Sequence, residues 1–504
     1  MKLSDFVFAA FSGFLSALAF PKTNLPFFVW ISLIPLFFVL ARMTPKRSFL
    51  SGWTAGTIFY GILLYWIPAV PAHYGHLSKA LSLLIYLVFI LFLALTWALF
   101  GFVFSVIHRK RAAAAFFAAP FLWVAFEYII THAFTGFPWG VLGLIQHKNL
   151  SFIQISAVTG IYGVSFVLVI FQSLFVYSLR SMKRLPFAFG IILLVLVHLG
   201  GFISLEKVPE TKTSFPAAVI QGNVSSDIYW NDAATNDILT LFEEHLELTR
   251  QSCEKGAKLI IWPEFTVPLC FSCEQDLYQS FKRILSQFAA DTQTTLLLGT
   301  NEQSGPPGQE HYFNTALCLT PDLKITKYAK MHLVPFGEYT PYKKIFSFIE
   351  KMTHAIGEIT PGTELTLHSF RDLKFGSPIC YELIFSDLVR RFTKKGADFL
   401  VTITNDGWYG KTAAPYQHFS NAVFRAVENR RFLLRAATTG ISGIIDPYGR
   451  VLAQSEIGTK TFLTGTVTPS KKLTFYARFG DVFSLLCLTT SVIFLILALF
   501  KRRP

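Results

Sequence analysis

Long apolar stretches alternate with short polar connections over the first 203 residues, and another apolar stretch lies close to the C-terminus. The stretches cover residues 4–20, 25–41, 51–69, 80–107, 112–131, 151–179, 186–203 and 482–500. Because a membrane-spanning helix needs about 20 mainly apolar residues, we expect an α-helical transmembrane bundle of about eight spans. The first two stretches are the shortest candidates.

Charged and turn residues return after residue 203, where short β-branched runs alternate with amphipathic segments. The runs at 217–221, 258–262, 295–299, 315–319, 324–328, 374–379 and 399–404 predict strands. Helical periodicity covers residues 234–255, 276–290, 385–395 and 417–431, with Leu277, Phe281 and Leu285 on one face of the second segment. We therefore expect a layered α/β domain over residues 204–475, between a membrane region at 1–203 and a final span with a basic tail at 476–504.

The composition agrees with a membrane protein. Apolar residues make up 52% of the chain and charged residues 15%, against about 25% charged in a typical soluble protein. This balance argues against a disordered chain and against a single soluble domain.

The net charge of +14 is concentrated in alternate connections of the apolar region. Basic residues cluster near positions 42–47, 109–111, 180–184 and 501–503, whereas each intervening connection carries a single lysine. By the positive-inside rule these clusters are cytoplasmic, which places residues 204–475 on the opposite side. The charge therefore has a topological explanation, and no nucleic-acid partner is needed to account for it.

Three polar clusters follow strand-like runs in the outer domain. Glu264 follows the run at 258–262, Lys330 follows the run at 324–328, and Cys380 follows the run at 374–379. Functional groups of α/β sheets gather at strand ends, where loops converge. Taken alone, each of these residues is more often structural or solvated than catalytic.

The order and surroundings of the three clusters resemble the nitrilase superfamily, whose catalytic glutamate, lysine and cysteine lie in such clusters. Further matches are residues 221–223 with Trp230, and the segments 405–409, 425–431 and 435–440. The resemblance covers residues 215–468 and implies a four-layer αββα sandwich. The seven preceding spans and the segment 134–139 resemble the membrane part of apolipoprotein N-acyltransferases within that superfamily.

That family moves a fatty acyl chain from a phospholipid to the α-amino group of a lipoprotein's N-terminal S-diacylglyceryl cysteine. The resemblance implies a ping-pong mechanism through a thioester on Cys380, with Glu264 as base and Lys330 as oxyanion stabiliser. The implied partners are a phospholipid donor and diacylglyceryl apolipoprotein acceptors, with no cofactor and no metal. We expect a monomer in a bacterial inner (cytoplasmic) membrane, with the catalytic domain in the periplasm.

Four further residues are candidates for support of the site. One interpretation is that Glu338 and Glu382 hold Lys330 or tune Glu264 by like charge, and the other is that they cap local backbone. Trp230 and Tyr381 belong to the matching segments and complete the supporting set.

Residues 342–356 mix apolar and basic side chains and include Phe346, Phe348 and Ile349. One interpretation is a mobile arm over the active site that dips into the membrane interface. The other is an ordinary amphipathic helix packed on the domain.

An isolated pair of cysteines in the outer domain allows more than one interpretation. Cys270 and Cys273 form an isolated C-x-x-C pair, which favours a local disulfide or two free thiols over a zinc site.

Glu127 lies inside an apparent span, where an ionisable group is functional by default. It could instead pair with His132 or Trp139 near the outer interface, and a structural role is favoured.

Two other functions stay open at this point. A membrane-tethered amidase or nitrile hydrolase would use the same glutamate, lysine and cysteine, with water as the acceptor. A transporter or lipid-binding scaffold is a different class, but the sequence lacks paired broken helices and would leave three polar clusters unexplained.

Overall fold

The computed structural model describes residues 3–206, 213–224, 235–265, 267, 269–306, 308–341 and 358–500. They belong to two compact units. The first contains the described parts of Met1–Pro68, Lys79–Lys207 and Phe479–Pro504, and the second contains those of Ala69–Ser78 and Val208–Arg478.

The α-helices of the described residues are, in chain order, α1 (Leu3–Leu18), α2 (Ile34–Leu40), α3 (Pro45–Leu63), α4 (Ala69–His73), α5 (Lys79–Lys110), α6 (Ala112–His132), α7 (Leu150–Ile153), α8 (Ser156–Thr159), α9 (Ile161–Ser181), α10 (Leu185–Leu205), α11 (Thr235–Glu254), α12 (Asp276–Thr292), α13 (Ser386–Lys394), α14 (Ala414–Asn429), α15 (Phe475–Phe479) and α16 (Val482–Phe500). The strands are β1 (Phe215–Gln221), β2 (Leu259–Ile261), β3 (Thr295–Ser304), β4 (His311–Leu319), β5 (Ile325–Ala329), β6 (His368–Phe370), β7 (Leu373–Gly376), β8 (Phe399–Thr404), β9 (Leu433–Ala437), β10 (Gly443–Ile445), β11 (Val451–Gln454) and β12 (Thr461–Val467).

The first unit is helical, and five of its described helices are long and apolar enough to cross a membrane. These are α5, α6, α9, α10 and α16. The other apolar stretches correspond to α1, to α2 with the short 3-10 helix Pro26–Trp30 before it, and to α3. The membrane character of this region is confirmed, whereas the number of about eight spans stays a prediction.

Small residues let α1, α3 and α5 approach one another closely. A Cβ atom at Gly13 would lie 2.1 Å from the carbonyl oxygen of Ala55, and one at Gly52 would lie 2.2 Å from that of Trp97. Helices in lipid associate through such close van der Waals packing, because burial from lipid brings little hydrophobic gain. These glycines therefore fix the spacing of the three helices.

Glu127 on α6 is buried and hydrogen-bonded within the first unit. Its Oε1 accepts from Trp123 Nε1 at 2.9 Å and from the backbone N–H of Leu142 at 2.8 Å. The suggested pairing with His132 is wrong, because Glu127 Oε1 instead binds Trp123 and Leu142, while the His132 ring lies 3.8 Å from Asp481. The Glu127 carboxylate thus ties α6 to the segment that follows it.

The second unit contains two six-stranded sheets. The first sheet has the order β12-β1-β2-β3-β4-β5, and the second has the order β11-β10-β9-β8-β7-β6. Three strands at the centre of each sheet are parallel, β1 to β3 and β7 to β9, and the outer strands are antiparallel. The parallel strands of each sheet therefore end at one edge, where their loops meet.

The sheets pack face to face with helices outside them. Phe215 of β1 contacts Phe370 and Phe399 of the second sheet, with ring centroids 4.5 and 5.2 Å apart. The opposite face of the first sheet forms one apolar core with α11 and α12. The second sheet is covered by α13 and α14, whose Phe392 and Phe419 lie against glycines of its strands. The expected αββα sandwich is confirmed.

Most of the expected strands and helices of this domain are present, with ends shifted by a few residues. The strands β6, β9, β10, β11 and β12 were not predicted. β6 and β10 have only three residues each, β9 contains an arginine, and β12 is a partly exposed edge strand. Their pairing is decided by neighbouring strands rather than by local apolar runs.

Two fully buried histidines of the second unit make its stability depend on pH. Burial lowers the pKa of His245 to about 4 and that of His368 to about 3. In the unfolded chain both imidazole rings take up a proton near pH 6.5. Below that pH the unfolded chain therefore binds more protons than the folded chain. The free energy of unfolding therefore decreases by about 1.4 kcal/mol per pH unit for each histidine as the pH falls from 6.5 towards 4.

Thermal unfolding of the full chain in detergent between pH 7.5 and 4.5 measures this effect. Below pH 6.5 we expect the unfolding temperature to fall less steeply with decreasing pH in the variant His368→Gln, because glutamine cannot take up a proton. An unchanged slope in that variant would contradict the assignment.

Candidate active site

Glu264, Lys330 and Cys380 all follow strands of the two sheets. Glu264 lies three residues beyond the end of β2, and Lys330 directly follows β5. Cys380 begins a short 3-10 helix after β7. The three residues are 2%, 1% and 5% exposed, respectively, so the domain excludes all of them from water.

Glu264 is held by three donors from different parts of the chain. Its Oε1 accepts from Asn314 Nδ2 at 2.7 Å and from Lys330 Nζ at 3.3 Å. Its Oε2 accepts from the backbone N–H of Asn405 at 2.8 Å. The carboxylate is therefore fixed in orientation before any substrate binds.

Lys330 forms a second ion pair with Glu338, at 2.9 Å from Nζ to Oε1. Burial alone would lower the pKa of Lys330, but the charges of Glu264 and Glu338 outweigh burial and raise it. The two carboxylates therefore favour the charged form of the lysine. Glu338 is itself positioned by the backbone N–H of Val334, which donates to Oε2 at 2.8 Å.

Cys380 combines a strained backbone with a buried thiol. Its φ of 51° lies in the left-handed region, which residues other than glycine seldom adopt. Burial raises the pKa of the thiol and the charge of Glu264 raises it further, while Lys330 partly opposes them. Burial and Glu264 therefore favour the neutral thiol over the thiolate.

The carboxylate of Glu382 accepts hydrogen bonds from the backbone of two separate segments. Its Oε1 accepts from Tyr328 Oη at 2.8 Å and from the backbone N–H groups of Met331 and His332 at 2.7 and 3.0 Å. Its Oε2 accepts from the backbone N–H of Ile379 at 2.7 Å. These contacts join the segment after Lys330 to the segment before Cys380, which favours the capping interpretation for Glu382, whereas Glu338 contacts Lys330 directly.

Tyr381 is buried beside His332 and Phe385, with ring centroids 5.7 and 5.2 Å away. Burial raises the pKa of its hydroxyl. Trp230 and the arm residues Phe346, Phe348 and Ile349 lie outside the described residues.

Asn314 of β4 was missed by the sequence interpretation. Its Nδ2 donates to Glu264 and also to Glu338 Oε1 at 2.9 Å, so it bridges the same two oxygens as Lys330. The one sequence feature that could have indicated Asn314 is its carboxamide side chain within an otherwise mainly apolar strand, at a position that is buried. Asn405, whose backbone amide donates to Glu264, lies in one of the segments that match the nitrilase superfamily, but the match alone does not predict this contact.

In the described part of the chain no group of three or more histidine, cysteine, aspartate or glutamate side chains is arranged to hold a metal ion. Cys270 and Cys273 form a disulfide, the first of the two alternatives that their spacing left open.

The two-sheet sandwich with these three side chains defines a carbon-nitrogen hydrolase type of domain. The family model described as carbon-nitrogen hydrolase matches residues 216–472, and that of the apolipoprotein N-acyltransferase N-terminal domain matches residues 12–174. The chain belongs to the apolipoprotein N-acyltransferase family, and it is an acyltransferase associated with a membrane.

Similar proteins match along nearly the whole chain. The apolipoprotein N-acyltransferase of Geobacter metallireducens is 34% identical and covers 99% of this chain and 96% of its own length. That of Coxiella burnetii is 30% identical, with 96% and 99% covered. Among solved structures, Saccharomyces cerevisiae Nit3, a member of branch 10 of the nitrilase superfamily, covers 52% of this chain and 93% of its own at 20% identity and a TM-score of 0.40.

Replacement of Asn314 by leucine removes both amide donors while nearly keeping the side-chain volume. Hydrogen bonds to charged groups contribute about 1.5–3 kcal/mol, so we expect acyl transfer to slow by about 10- to 100-fold. Asn421→Leu is a matched control, because that buried amide donates to the carbonyl of Gln417 instead. Equal rates in the two variants would contradict the bridging role.

Glu382→Gln tests whether this residue clamps the backbone or tunes catalysis. The amide would turn an N–H group towards backbone donors, at a cost of about 1–3 kcal/mol. We expect a lower unfolding temperature than in the exposed control Glu243→Gln, with less than about a tenfold change in rate per folded molecule. A stable protein with a much lower rate would favour the catalytic interpretation.

Proposed function

We propose that the protein transfers a fatty acyl chain from a phospholipid to the N-terminal α-amino group of an S-diacylglyceryl apolipoprotein, through a thioester on Cys380. The observation that carries this proposal is the shared burial of Glu264, Lys330 and Cys380, of which the first two form an ion pair at 3.3 Å and both shift the pKa of the thiol. A thiol suits the task because thioesters react readily with amines.

In the first half-reaction, Cys380 Sγ attacks the ester carbonyl carbon of the phospholipid while Glu264 takes the thiol proton. The raised pKa of the thiol makes this base necessary. Lys330 stabilises the negative oxygen of the tetrahedral intermediate. As the intermediate collapses, the lysophospholipid oxygen leaves with the proton held by Glu264.

In the second half-reaction, the α-amino group of the apolipoprotein attacks the thioester. Glu264 takes a proton from the attacking nitrogen, Lys330 again stabilises the oxyanion, and the sulfur leaves and regains a proton. An amide bond forms and the free thiol is restored. The burial of all three side chains keeps water from the thioester before the amine arrives.

The topology follows from the distribution of basic residues. Residues 1–203 and 476–504 would lie in the membrane with basic connections in the cytoplasm, and residues 204–475 would lie in the periplasm. This arrangement gives the catalytic domain access to phospholipids of the outer leaflet of the inner membrane. We propose that the chain acts as a monomer, because the proposed catalytic groups all come from one chain.

The test uses the purified full chain and a phospholipid with a radiolabelled acyl chain. We expect a labelled adduct on Cys380 that hydroxylamine removes, since hydroxylamine cleaves thioesters. Addition of a peptide with an S-diacylglyceryl N-terminal cysteine should move the label to the peptide amine.

Cys380→Ala should lose the adduct completely. Cys318→Ala is the matched control, because Cys318 is also a buried free thiol and should leave labelling unchanged. Release of the label only as free fatty acid, with the acceptor peptide present, would instead support the hydrolase.

A further inference from the structure

The left-handed backbone of Cys380 needs an explanation beyond its own sequence. The residue has a Cβ atom and a φ of 51°, and strained conformations of this kind persist only where the surroundings enforce them. The direction of the Cβ–Sγ bond depends on this backbone. Whatever holds the Cys380 peptide therefore also directs its sulfur.

His418 of α14 binds that peptide directly. Its Nε2 lies 3.1 Å from the carbonyl oxygen of Cys380. A carbonyl can only accept a hydrogen bond, so Nε2 must carry the proton. The contact joins residues that are 38 positions apart in the chain.

Two buried charged residues fix the ring of His418 from its other side. With the proton on Nε2, the Nδ1 of a neutral ring accepts a hydrogen bond from Arg435 Nη2 at 3.1 Å, and Asp406 Oδ1 lies 2.9 Å from the same nitrogen. Arg435 Nη2 also donates to Asp406 Oδ2 at 2.8 Å. The three side chains are at most 1% exposed, so water does not compete for these contacts.

The connection between β9 and β10 accommodates the side chains of Asp406 and Arg435. A Cβ atom at Gly440 would lie 2.2 Å from Asp406 Oδ2, so glycine is needed where the connection between β9 and β10 passes the carboxylate. Arg435 Nε donates to the carbonyl of Ile441 at 3.1 Å, which anchors the guanidinium in the same connection. Burial would raise the pKa of Asp406, but Arg435 and His418 lower it to about 2, so the carboxylate stays ionised.

We propose that His418, held by Asp406 and Arg435, is a positioning residue that keeps the Cys380 peptide in its left-handed conformation and so directs the sulfur at the acyl carbonyl. This inference rests on the proposed function of Cys380 as nucleophile. None of the three residues has to touch the substrate. Their effect should appear in the rate of acylation rather than in substrate binding.

The test compares His418→Phe, which removes the donor, with His418→Gln, which keeps an N–H group near the position of Nε2. The full chain in detergent reacts with p-nitrophenyl hexanoate, whose ester carbonyl is attacked by Cys380 Sγ with release of p-nitrophenolate. The first-order rate constant of the burst reports positioning, and its amplitude reports the fraction of active molecules.

For His418→Phe we expect a burst rate constant about tenfold lower with little change in the concentration of ester that gives half-maximal rate. His418→Gln should recover most of the loss. Asp406→Asn, which removes the negative charge that holds Arg435 against Nδ1, should lower the same rate constant and serves as the second variant where His418→Phe folds poorly. His368→Phe is the matched control for loss of a buried histidine, and it should leave the rate constant of the active fraction unchanged.

A wild-type rate constant with a reduced amplitude in His418→Phe, and in Asp406→Asn as well, would show a merely structural role and overturn the inference. Failure of the proposed function would look different. The wild-type chain would then give the nitrophenolate burst but take no acyl chain from a phospholipid, while the effect of His418 on the burst would persist and support the inference.

Discussion

The paired charges of Lys330, Glu264 and Glu338 are the interaction on which the site depends. A single buried charge is strongly unfavourable, and a buried pair is stable only with good geometry and further hydrogen bonds. Here the ammonium lies between two carboxylates, and Asn314 bridges the same oxygens. Backbone amides of Val334 and Asn405 occupy the remaining carboxylate oxygens. These donors come from separate loops, so the charged cluster holds the loops together.

The same cluster sets the proton chemistry of the cysteine. Burial and the charge of Glu264 raise the pKa of the Cys380 thiol, and Lys330 opposes them only in part. A preformed thiolate is therefore disfavoured, which agrees with the proposal that Glu264 takes the proton as the sulfur attacks. This differs from cysteines activated mainly by a neighbouring cation. For an enzyme proposed to meet a lipid ester first and an amine later, a thiol that stays neutral at rest avoids unwanted reactions between substrates.

Much of the fold could be predicted from local patterns, and the contacts of the site could not. The β-branched runs before Glu264 and Cys380 indicated strands, and the resemblance of the residues after them to the nitrilase superfamily indicated functional loops. Asn314 and His418 gave no comparable signal, because a polar side chain in a buried strand or helix acquires its role from its partners. Glu382 illustrates the converse. Its position near Cys380 allowed a catalytic role, yet its carboxylate binds the backbone of two loops.

The sequence by itself determined which segments are apolar enough for lipid, which connections carry the basic residues, and where Glu264, Lys330 and Cys380 lie relative to the ends of strands. These properties depend on local composition and periodicity, so they can be read without knowledge of contacts. Only the tertiary structure decided which carboxylate pairs with Lys330, which donors fix Glu264, and how His418 reaches the Cys380 carbonyl. Such contacts join residues separated by tens of positions or more, and their geometry depends on the packing of the two sheets.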